Sequence, residues 1–247
     1  MEAPNRWELQ FVNSGCEGTV YKFNDYAIKI FLDQDNIQNK IKKIRKLKNI
    51  KMDQFCLPID FVVNNNAIIG YYMDYVRPNN TLFTEFETKK ISLDEKIKYL
   101  KMQEELVKKA HENNIVMCDL NLFNFILDND KVYAIDTDNY QIDGLKNDIL
   151  PDLYAPYYLN HISQNVDENF DKFALTINFL SYLKEDFYFE MLYYYRDAYN
   201  YLEEYVKSLN VDQRLKDFLF HQISEDTNKE YLGNYIDSVS SDKRFIK

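Results

Sequence analysis

Glycine, proline and cysteine are all scarce in this 247-residue chain. It has five glycines and five prolines, which argues against a disordered protein and against an all-β protein built on many tight turns. The three cysteines, Cys16, Cys56 and Cys118, are too few and too scattered for a disulfide framework or a zinc site. We therefore expect one domain or a two-lobed unit with enough chain for a large core.

An excess of positive charge and long apolar runs are also missing. The net charge of −10 argues against duplex nucleic acid and anionic membranes as partners. No run approaches the length of a membrane-spanning helix, and the opening MEAPNRWELQ has no apolar signal core. Together with the few cysteines, these absences predict a cytoplasmic protein without nucleic-acid or membrane partners. The sequence gives no indication of the oligomeric state.

Residues 115–142 form a stretch in which polar side chains flank short apolar segments. Asn124 follows Asp119 by five residues, and residues 125–135 are predicted to form a β-hairpin that ends at Asp136. The hairpin returns Asn124 and Asp136 to the same end, where amide and carboxylate oxygens suit a hard divalent cation. A carboxylate nearby can orient a hydroxyl and accept its proton. The alternative interpretation is a plain hairpin with solvated turn acids.

The N-terminal part is predicted to be a small sheet with one helix. Predicted strands cover residues 7–12, 19–23, 26–31, 55–63 and 67–76, and an amphipathic helix with a basic face covers residues 35–49. Gly15 and Gly18 lie between the first two strands and allow a backbone to approach a polyanion closely. Lys29 stands in the third strand with apolar neighbours on both sides, which a solvated lysine rarely needs.

These motifs, in this order, resemble those of the protein-kinase-like superfamily over about residues 9–183. The string IDTDNYQI is most similar to a group of compact bacterial Ser/Thr kinase-like domains. The resemblance implies a bilobal α+β fold forming one kinase-like domain. Residues 1–76 would form the small antiparallel β-sheet lobe with one helix, and residues 77–247 the larger, mainly helical lobe.

The resemblance also implies ATP and Mg²⁺ as cofactors and a role for each motif residue. Asp119 corresponds to the catalytic base, and Lys29 to the lysine that contacts the α- and β-phosphates. Asn124 and Asp136 correspond to the metal ligands, and Asp138 is a further candidate ligand. The nucleotide-binding candidates are Asn13, Gly15, Gly18, Val20, Ala27, Lys29, Met73, Asp74 and Val76. Among these, Met73 is at the gatekeeper position, and residues 74–76 form the hinge.

The small lobe departs from the family pattern at two places. Asn13 replaces the first glycine of the glycine-rich loop, a mild change because Asn tolerates unusual backbone angles. The helix glutamate that pairs with the strand lysine is missing, since no Glu occurs between residues 18 and 84. Either another side chain of this region faces Lys29, or the lysine has no such partner. The candidates are the amides of Asn36 and Gln38 and the carboxylates of Asp33 and Asp35, and Lys40 also sits near the expected position.

The large lobe departs from the family at its activation elements. Met117 and Cys118 replace the usual His-Arg before the catalytic Asp, so activity is not expected to require phosphorylation of a loop. Tyr157 replaces the Glu of the Ala-Pro-Glu ending, and the buried ion pair of that Glu is expected to be lost. Asp171, at the start of an apolar helix, is expected to brace the catalytic loop.

The sequence therefore predicts an ATP- and Mg²⁺-dependent phosphotransferase, with protein Ser or Thr hydroxyls as the favoured acceptors. Two alternatives stay open. A small-molecule kinase of the aminoglycoside or choline type is supported by the Ile-Asp-x-Asp string. A nucleotide-binding pseudokinase scaffold is supported by the missing helix Glu and the missing His-Arg.

Overall fold

Strands dominate the first half of the chain and helices the second. The computed structural model describes residues 1–32, 37–77, 80–89, 91–147, 150, 154–184, 198–224 and 228–236. The strands are β1 (Gln10–Ser14), β2 (Gly18–Phe23), β3 (Tyr26–Phe31), β4 (Asp60–Asn64), β5 (Ala67–Asp74), β6 (Asn80–Thr81), β7 (Ile115–Val116), β8 (Phe125–Asp128), β9 (Lys131–Ala134) and β10 (Gln141–Ile142). The helices are α1 (Gln38–Leu47), α2 (Leu82–Thr88), α3 (Leu93–Glu112), α4 (Ala155–His161), α5 (Glu168–Lys184), α6 (Ala198–Ser208) and α7 (Gln213–Ile223). The predicted α+β class is confirmed, and the elements are compatible with a bilobal kinase-like fold.

The chain forms two compact units. The first consists of residues 1–84 and 122–147, and the second of residues 85–121 and 148–247. Each unit combines two stretches of chain, whereas the predicted lobes are continuous, so the lobe boundary after residue 76 stays a prediction. Within the described residues, no helix is both long and apolar enough to cross a bilayer.

The first unit is built on a five-stranded antiparallel sheet. Its strand order is β1-β2-β3-β5-β4. Lys29 in β3 pairs with Val20 in β2 on one side and with Tyr71 in β5 on the other. Residues directly opposite one another project from the same face of a sheet. The register therefore places the Lys29 side chain between those of Val20 and Tyr71.

Helix α1 packs against this sheet through its apolar stripe. Ile41, Ile44 and Leu47 recur at helical spacing and are buried. Ile44 belongs to the same core cluster as Phe31 and Tyr71 of the sheet. The predicted helix over residues 35–49 is thus present but shorter, and the predicted partners Asp33, Asp35 and Asn36 lie outside the described residues.

Gly70 allows β5 to lie very close to β3, and we expect its replacement to destabilise the sheet. A Cβ atom at Gly70 would lie 2.1 Å from the carbonyl oxygen of Lys29, a backbone atom that cannot rotate away. Gly70→Ala is expected to lower the free energy of unfolding by about 3 kcal/mol, the upper end for overpacked sites. Chemical denaturation measures this loss. Gly15→Ala is the matched control, because a Cβ there meets no atom within 4 Å; an equal loss in both variants would refute the packing argument.

The predicted hairpin of residues 125–135 is formed by β8 and β9. Phe125 pairs with Ala134, and Asp128 pairs with Lys131. The two residues between them, Asn129 and Asp130, both have positive φ angles, of 47° and 59°. Asn and Asp tolerate this left-handed region well, and two-residue hairpin loops require it.

The second unit is organised around helices α3 and α5. Helix α3 begins at a capping box, in which Ser92 and Glu95 satisfy each other's backbone N–H groups. It ends before Asn114, whose φ of 56° is typical of the left-handed residue that terminates a helix. Most of helix α5 is buried, including Phe170 and Phe173, as its apolar sequence predicts.

Two strands begin later than predicted, for local reasons. Residues 6–8 form a 3-10 turn instead of a strand, because the Glu8 carboxylate accepts hydrogen bonds from the backbone and side chain of Asn5. The strand predicted from residue 55 begins only at Asp60. Pro58 precedes it, and a proline cannot donate to a strand ladder.

Candidate active site

A cavity of about 440 Å³ in the first unit collects the residues predicted to bind nucleotide. This volume is within the range of roughly 300–1,000 Å³ that is typical of small-molecule sites. Its lining includes Asn13, Gly15, Gly18, Val20, Ala27, Lys29, Met73, Asp74 and Val76, together with the metal candidates Asn124 and Asp136. These residues come from β1, β2, β3, β5 and the hairpin, so the fold gathers positions that are more than 100 residues apart.

The glycine-bearing turn is shaped by internal contacts. The N–H of Gly15 donates to the carbonyl of Gly18 at 3.0 Å, which closes the turn. A Cβ at Gly18 would lie 2.7 Å from the carbonyl oxygen of Ile30, so the close approach of β3 already requires this glycine. The Asn13 side chain accepts the N–H of Ser14 at 2.9 Å, and Asn13 does not have a positive φ. The missing first glycine therefore costs this backbone nothing.

Lys29 is buried and surrounded by carboxylates. Its ammonium group donates to the Asp136 carboxylate and, at 2.8 Å, to that of Asp138. Glu17 lies 4.0 Å away. Burial by itself lowers the pKa of Lys29, but Asp138 and Asp136 outweigh burial and raise the pKa above its ordinary range. Lys29 is therefore a permanent cation in the cavity wall, as a phosphate-binding lysine must be.

Asn124 and Asp136 are joined by the hairpin. The N–H of Ile135 donates to the carbonyl of Asn124 at 2.9 Å, so Asp136 follows directly after a residue tied to Asn124. Asp136 has a left-handed φ of 57°, and its side chain is about a third exposed (32%). Mg²⁺ prefers oxygen ligands and retains several waters. One amide and one carboxylate at the cavity wall fit that donor set.

Asp138 differs from Asp136 because its side chain is wholly buried. One carboxylate oxygen accepts hydrogen bonds from Lys29 and from the hydroxyl of Tyr71, each at 2.8 Å. The other oxygen lies 3.1 Å from the ammonium group of Lys40, an ion pair without hydrogen-bond geometry. Burial opposes the ionisation of Asp138, yet Lys29 and Lys40 hold its pKa well below the ordinary range.

The gatekeeper and hinge candidates lie at the end of β5 and directly after it. Met73 is buried, and Asp74 is exposed. The N–H of Tyr75 donates to the carbonyl of Asp25 at 3.0 Å and so ties the segment to the turn between β2 and β3. Residues 74–76 all line the cavity, and the hinge role that the resemblance implies for them stays a prediction.

In the second unit, the loop that carries Asp119 is held by Asp171. The Asp171 carboxylate accepts the N–H groups of Met117 at 2.8 Å and Cys118 at 2.9 Å, and it contacts His111 at 3.0 Å. Cys118 has a positive φ of 67°, an unusual conformation for a buried side chain. Asp171 thus holds the backbone just before Asp119, which agrees with its predicted bracing role.

Two tyrosines of the segment 154–159 make buried hydrogen bonds, and one of them binds this loop. The hydroxyl of Tyr154 accepts the N–H of Leu120 at 2.8 Å. Tyr157, which replaces the family's Glu, stacks on Phe173 and donates its hydroxyl to the carbonyl of Ile223 at 2.9 Å. A neutral hydrogen bond is therefore found at the position where the family has an ion pair.

The sequence reasoning missed two contributors to the cavity, Glu17 and Phe123. Glu17 is not an ordinary turn residue, because it binds Lys40 at 2.9 Å and Asn139 at 2.6 Å. Phe123 lines the cavity, is about half exposed and stacks on Phe83. Glu17 stands between the two glycines, and Phe123 directly precedes Asn124. The sequence could have indicated both residues only through their proximity to these motifs.

Cys16 provides a chemical reporter of the cavity. It is exposed and lines the cavity, whereas Cys56 and Cys118 are buried. Burial raises the pKa of the Cys56 thiol to about 12, which leaves little reactive thiolate at neutral pH. We expect an alkylating reagent to modify Cys16 first and Mg-ATP to slow that modification, as read by peptide mass spectrometry. Cys16→Ser should abolish the fast labelling; labelling that is indifferent to nucleotide would contradict nucleotide binding beside Cys16.

Comparison with known families agrees with this geometry. A family model described as a RIO domain matches residues 21–141, a segment that contains Lys29, Asp119, Asn124 and Asp136. RIO domains are an atypical protein-kinase-like family, and the match, which covers just under half of the chain, is consistent with the protein-kinase-like superfamily. No curated protein matches the chain. The family match supports an atypical ATP-dependent kinase or ATPase, with general use of ATP and Mg²⁺.

Proposed function

We propose that this protein is an ATP- and Mg²⁺-dependent phosphotransferase that acts on Ser or Thr hydroxyls of proteins. The supporting observation is that all nine nucleotide candidates and two metal candidates line a single cavity. A chance hairpin with solvated acids has no reason to share a cavity with a glycine-bearing turn and a buried lysine. The RIO match supports the ATP-dependent part of the proposal.

In the proposed reaction, each side chain acts through position and charge. Lys29 would bind the α- and β-phosphates. Asn124 and Asp136 would hold Mg²⁺, which would supply positive charge to balance that of the phosphates. Asp119 orients the acceptor hydroxyl and takes its proton. The acceptor oxygen bonds to the γ-phosphorus as the bond to the β–γ bridging oxygen breaks, and ADP leaves.

The protein-acceptor part of the proposal is supported by residues 154–159. The Tyr-Ala-Pro-Tyr stretch starts helix α4, which is anchored by the hydrogen bond from Tyr157 to Ile223. In the protein-kinase-like superfamily the corresponding Ala-Pro element forms a shelf for peptides. A small-molecule kinase has no need of that shelf.

The acceptor class is tested by offering labelled ATP to two pools of acceptors. One pool contains mixed proteins and Ser/Thr peptides, and the other contains aminoglycosides, choline and similar alcohols. We expect label on Ser or Thr residues and none on the alcohols. Label on an alcohol alone would replace the protein-kinase proposal with a small-molecule kinase, and nucleotide binding without transfer to either pool would favour a pseudokinase.

A further inference from the structure

The missing helix glutamate leaves open which group positions Lys29. In the family this partner comes from the helix that follows the lysine strand. Here the corresponding helix, α1, carries Lys40, whose ammonium group lies 3.1 Å from Asp138 and 2.9 Å from Glu17. The helix thus supplies a cation where the family supplies an anion. A cation cannot pair with Lys29, so the compensating anion comes from elsewhere.

Asp138 lies between these two cations. It accepts Lys29 and Tyr71 on one oxygen and faces Lys40 with the other. Its side chain has no solvent exposure, and that of Lys29 has 5%. A buried charge is tolerated only when it is paired and hydrogen-bonded. The cluster of Lys29, Lys40, Asp138 and Glu17 meets that requirement without a helix glutamate.

We propose that Asp138 is the positioning residue of Lys29 in place of the helix glutamate, and that Lys40 connects helix α1 to Asp138. This inference rests on the proposed function, because Lys29 is positioned for a nucleotide. It changes the role of Asp138 from candidate metal ligand to fixed counter-ion of two lysines.

The contrast between the two aspartates supports this assignment. Asp136 lines the cavity and is about a third exposed, so its carboxylate can face a cation from solution. Asp138 is closed off from solvent, and both of its oxygens already face ammonium groups. Tyr71 further fixes its orientation: burial, followed by the nearby Asp138 charge, raises the pKa of Tyr71 well above the ordinary range, so the hydroxyl stays a donor.

The arrangement has a functional consequence. In the family, movement of the helix removes the anion from the strand lysine. Here the anion follows β9 by only a few residues, and movement of α1 removes Lys40 instead. Lys29 therefore keeps Asp138 as its partner when helix α1 moves. Neutralising Lys40 is expected to disturb nucleotide binding much less than neutralising Asp138.

The test compares Asp138→Asn with two double variants that differ only at residue 40. Asp138→Asn/Lys40→Met removes one charge of each sign, so the net charge around Lys29 is unchanged and the protein is expected to fold. Asp138→Asn/Lys40→Glu moves the carboxylate to the helix and recreates the family arrangement. Calorimetry with Mg-ATP gives the affinity, and steady-state kinetics separate KM for ATP from kcat.

We expect Asp138→Asn and the Met double variant to bind Mg-ATP roughly tenfold to a hundredfold more weakly than wild type, because Lys29 loses a charge-assisted partner. The effect should fall on KM more than on kcat. The Glu double variant should recover most of the affinity. Lys46→Glu is the matched control on the same helix, since Lys46 pairs with Asp143 at an exposed site, and it should bind as wild type does.

Two results would overturn the inference. Wild-type affinity in the Met double variant would show that Lys29 does not depend on Asp138. Equal weakness of the Met and Glu double variants, with both folded by thermal denaturation, would show that a helix carboxylate cannot replace it. If the Asp138→Asn single variant does not fold, the comparison of the two double variants still tests the inference. Wild-type protein that binds no Mg-ATP would instead refute the proposed function, and with it the inference about Asp138.

Discussion

Asp136→Asn is expected to lower the rate of phosphoryl transfer by about a hundredfold to a thousandfold. The substitution keeps the shape of the side chain and removes the charge that we assign to Mg²⁺ binding. Loss of one preorganised electrostatic contact in an active site typically costs this much. Asn tolerates the left-handed backbone of Asp136, whose φ is 57°. The measurement is the transfer rate over a series of Mg²⁺ concentrations, which should show weakened metal dependence.

Asp130→Asn is the matched control for this variant. Asp130 belongs to the same hairpin, has a φ of 59° and is exposed. It therefore tests the same chemical change on the same kind of backbone, away from the cavity. We expect wild-type rates from Asp130→Asn. An Asp136→Asn protein that transfers phosphate at the wild-type rate would eliminate Asp136 as a metal ligand.

Asp119→Asn is expected to lower kcat by roughly a hundredfold to ten-thousandfold while leaving the affinity for Mg-ATP unchanged. An amide can still hold a hydroxyl in place but cannot take its proton, and a positioned general base contributes this much. The bracing contacts from Asp171 reach the backbone of residues 117 and 118, so the loop should keep its shape. Single-turnover kinetics and calorimetry separate the two effects.

Asp217→Asn provides the control in the same unit, because Asp217 is an exposed residue of helix α7. It should leave both kcat and affinity unchanged. An Asp119→Asn protein that loses nucleotide affinity in step with kcat would indicate a binding or structural role for Asp119. Unchanged kcat would remove Asp119 from the proposed chemistry.

The sequence predicted those parts of the fold that depend on local pattern. The hairpin was predictable because Asp128-Asn129-Asp130 separates two apolar segments. Helix α3 was predictable because its capping box and apolar spacing agree. The strand expected at residues 7–12 begins late, because hydrogen bonds between Asn5 and Glu8 compete with the hydrogen bonds of the sheet. Local alternatives of this kind are not visible in apolar alternation.

The site was predictable at positions where the sequence pattern points to a single role for the residue. A lysine inside an apolar strand and an Asp after a hairpin are such cases, and both line the cavity. The partner of Lys29 was not predictable, because the choice depends on which of several acids the tertiary fold buries. Asp138 is 109 residues from Lys29, and nothing in its own neighbourhood distinguishes a metal ligand from a counter-ion.

The most direct test of the account is the intact mass of the protein after incubation with Mg²⁺ and ATP together with a Ser/Thr acceptor protein. We predict that the wild type adds phosphate to itself or to the acceptor, whereas Asp119→Asn and Asp136→Asn add none in the same time. Digestion and sequencing of the modified peptide then identify the hydroxyl. No added mass on either protein, with no Mg-ATP binding by calorimetry, would contradict the central claim that the cavity beside Lys29 is a nucleotide site.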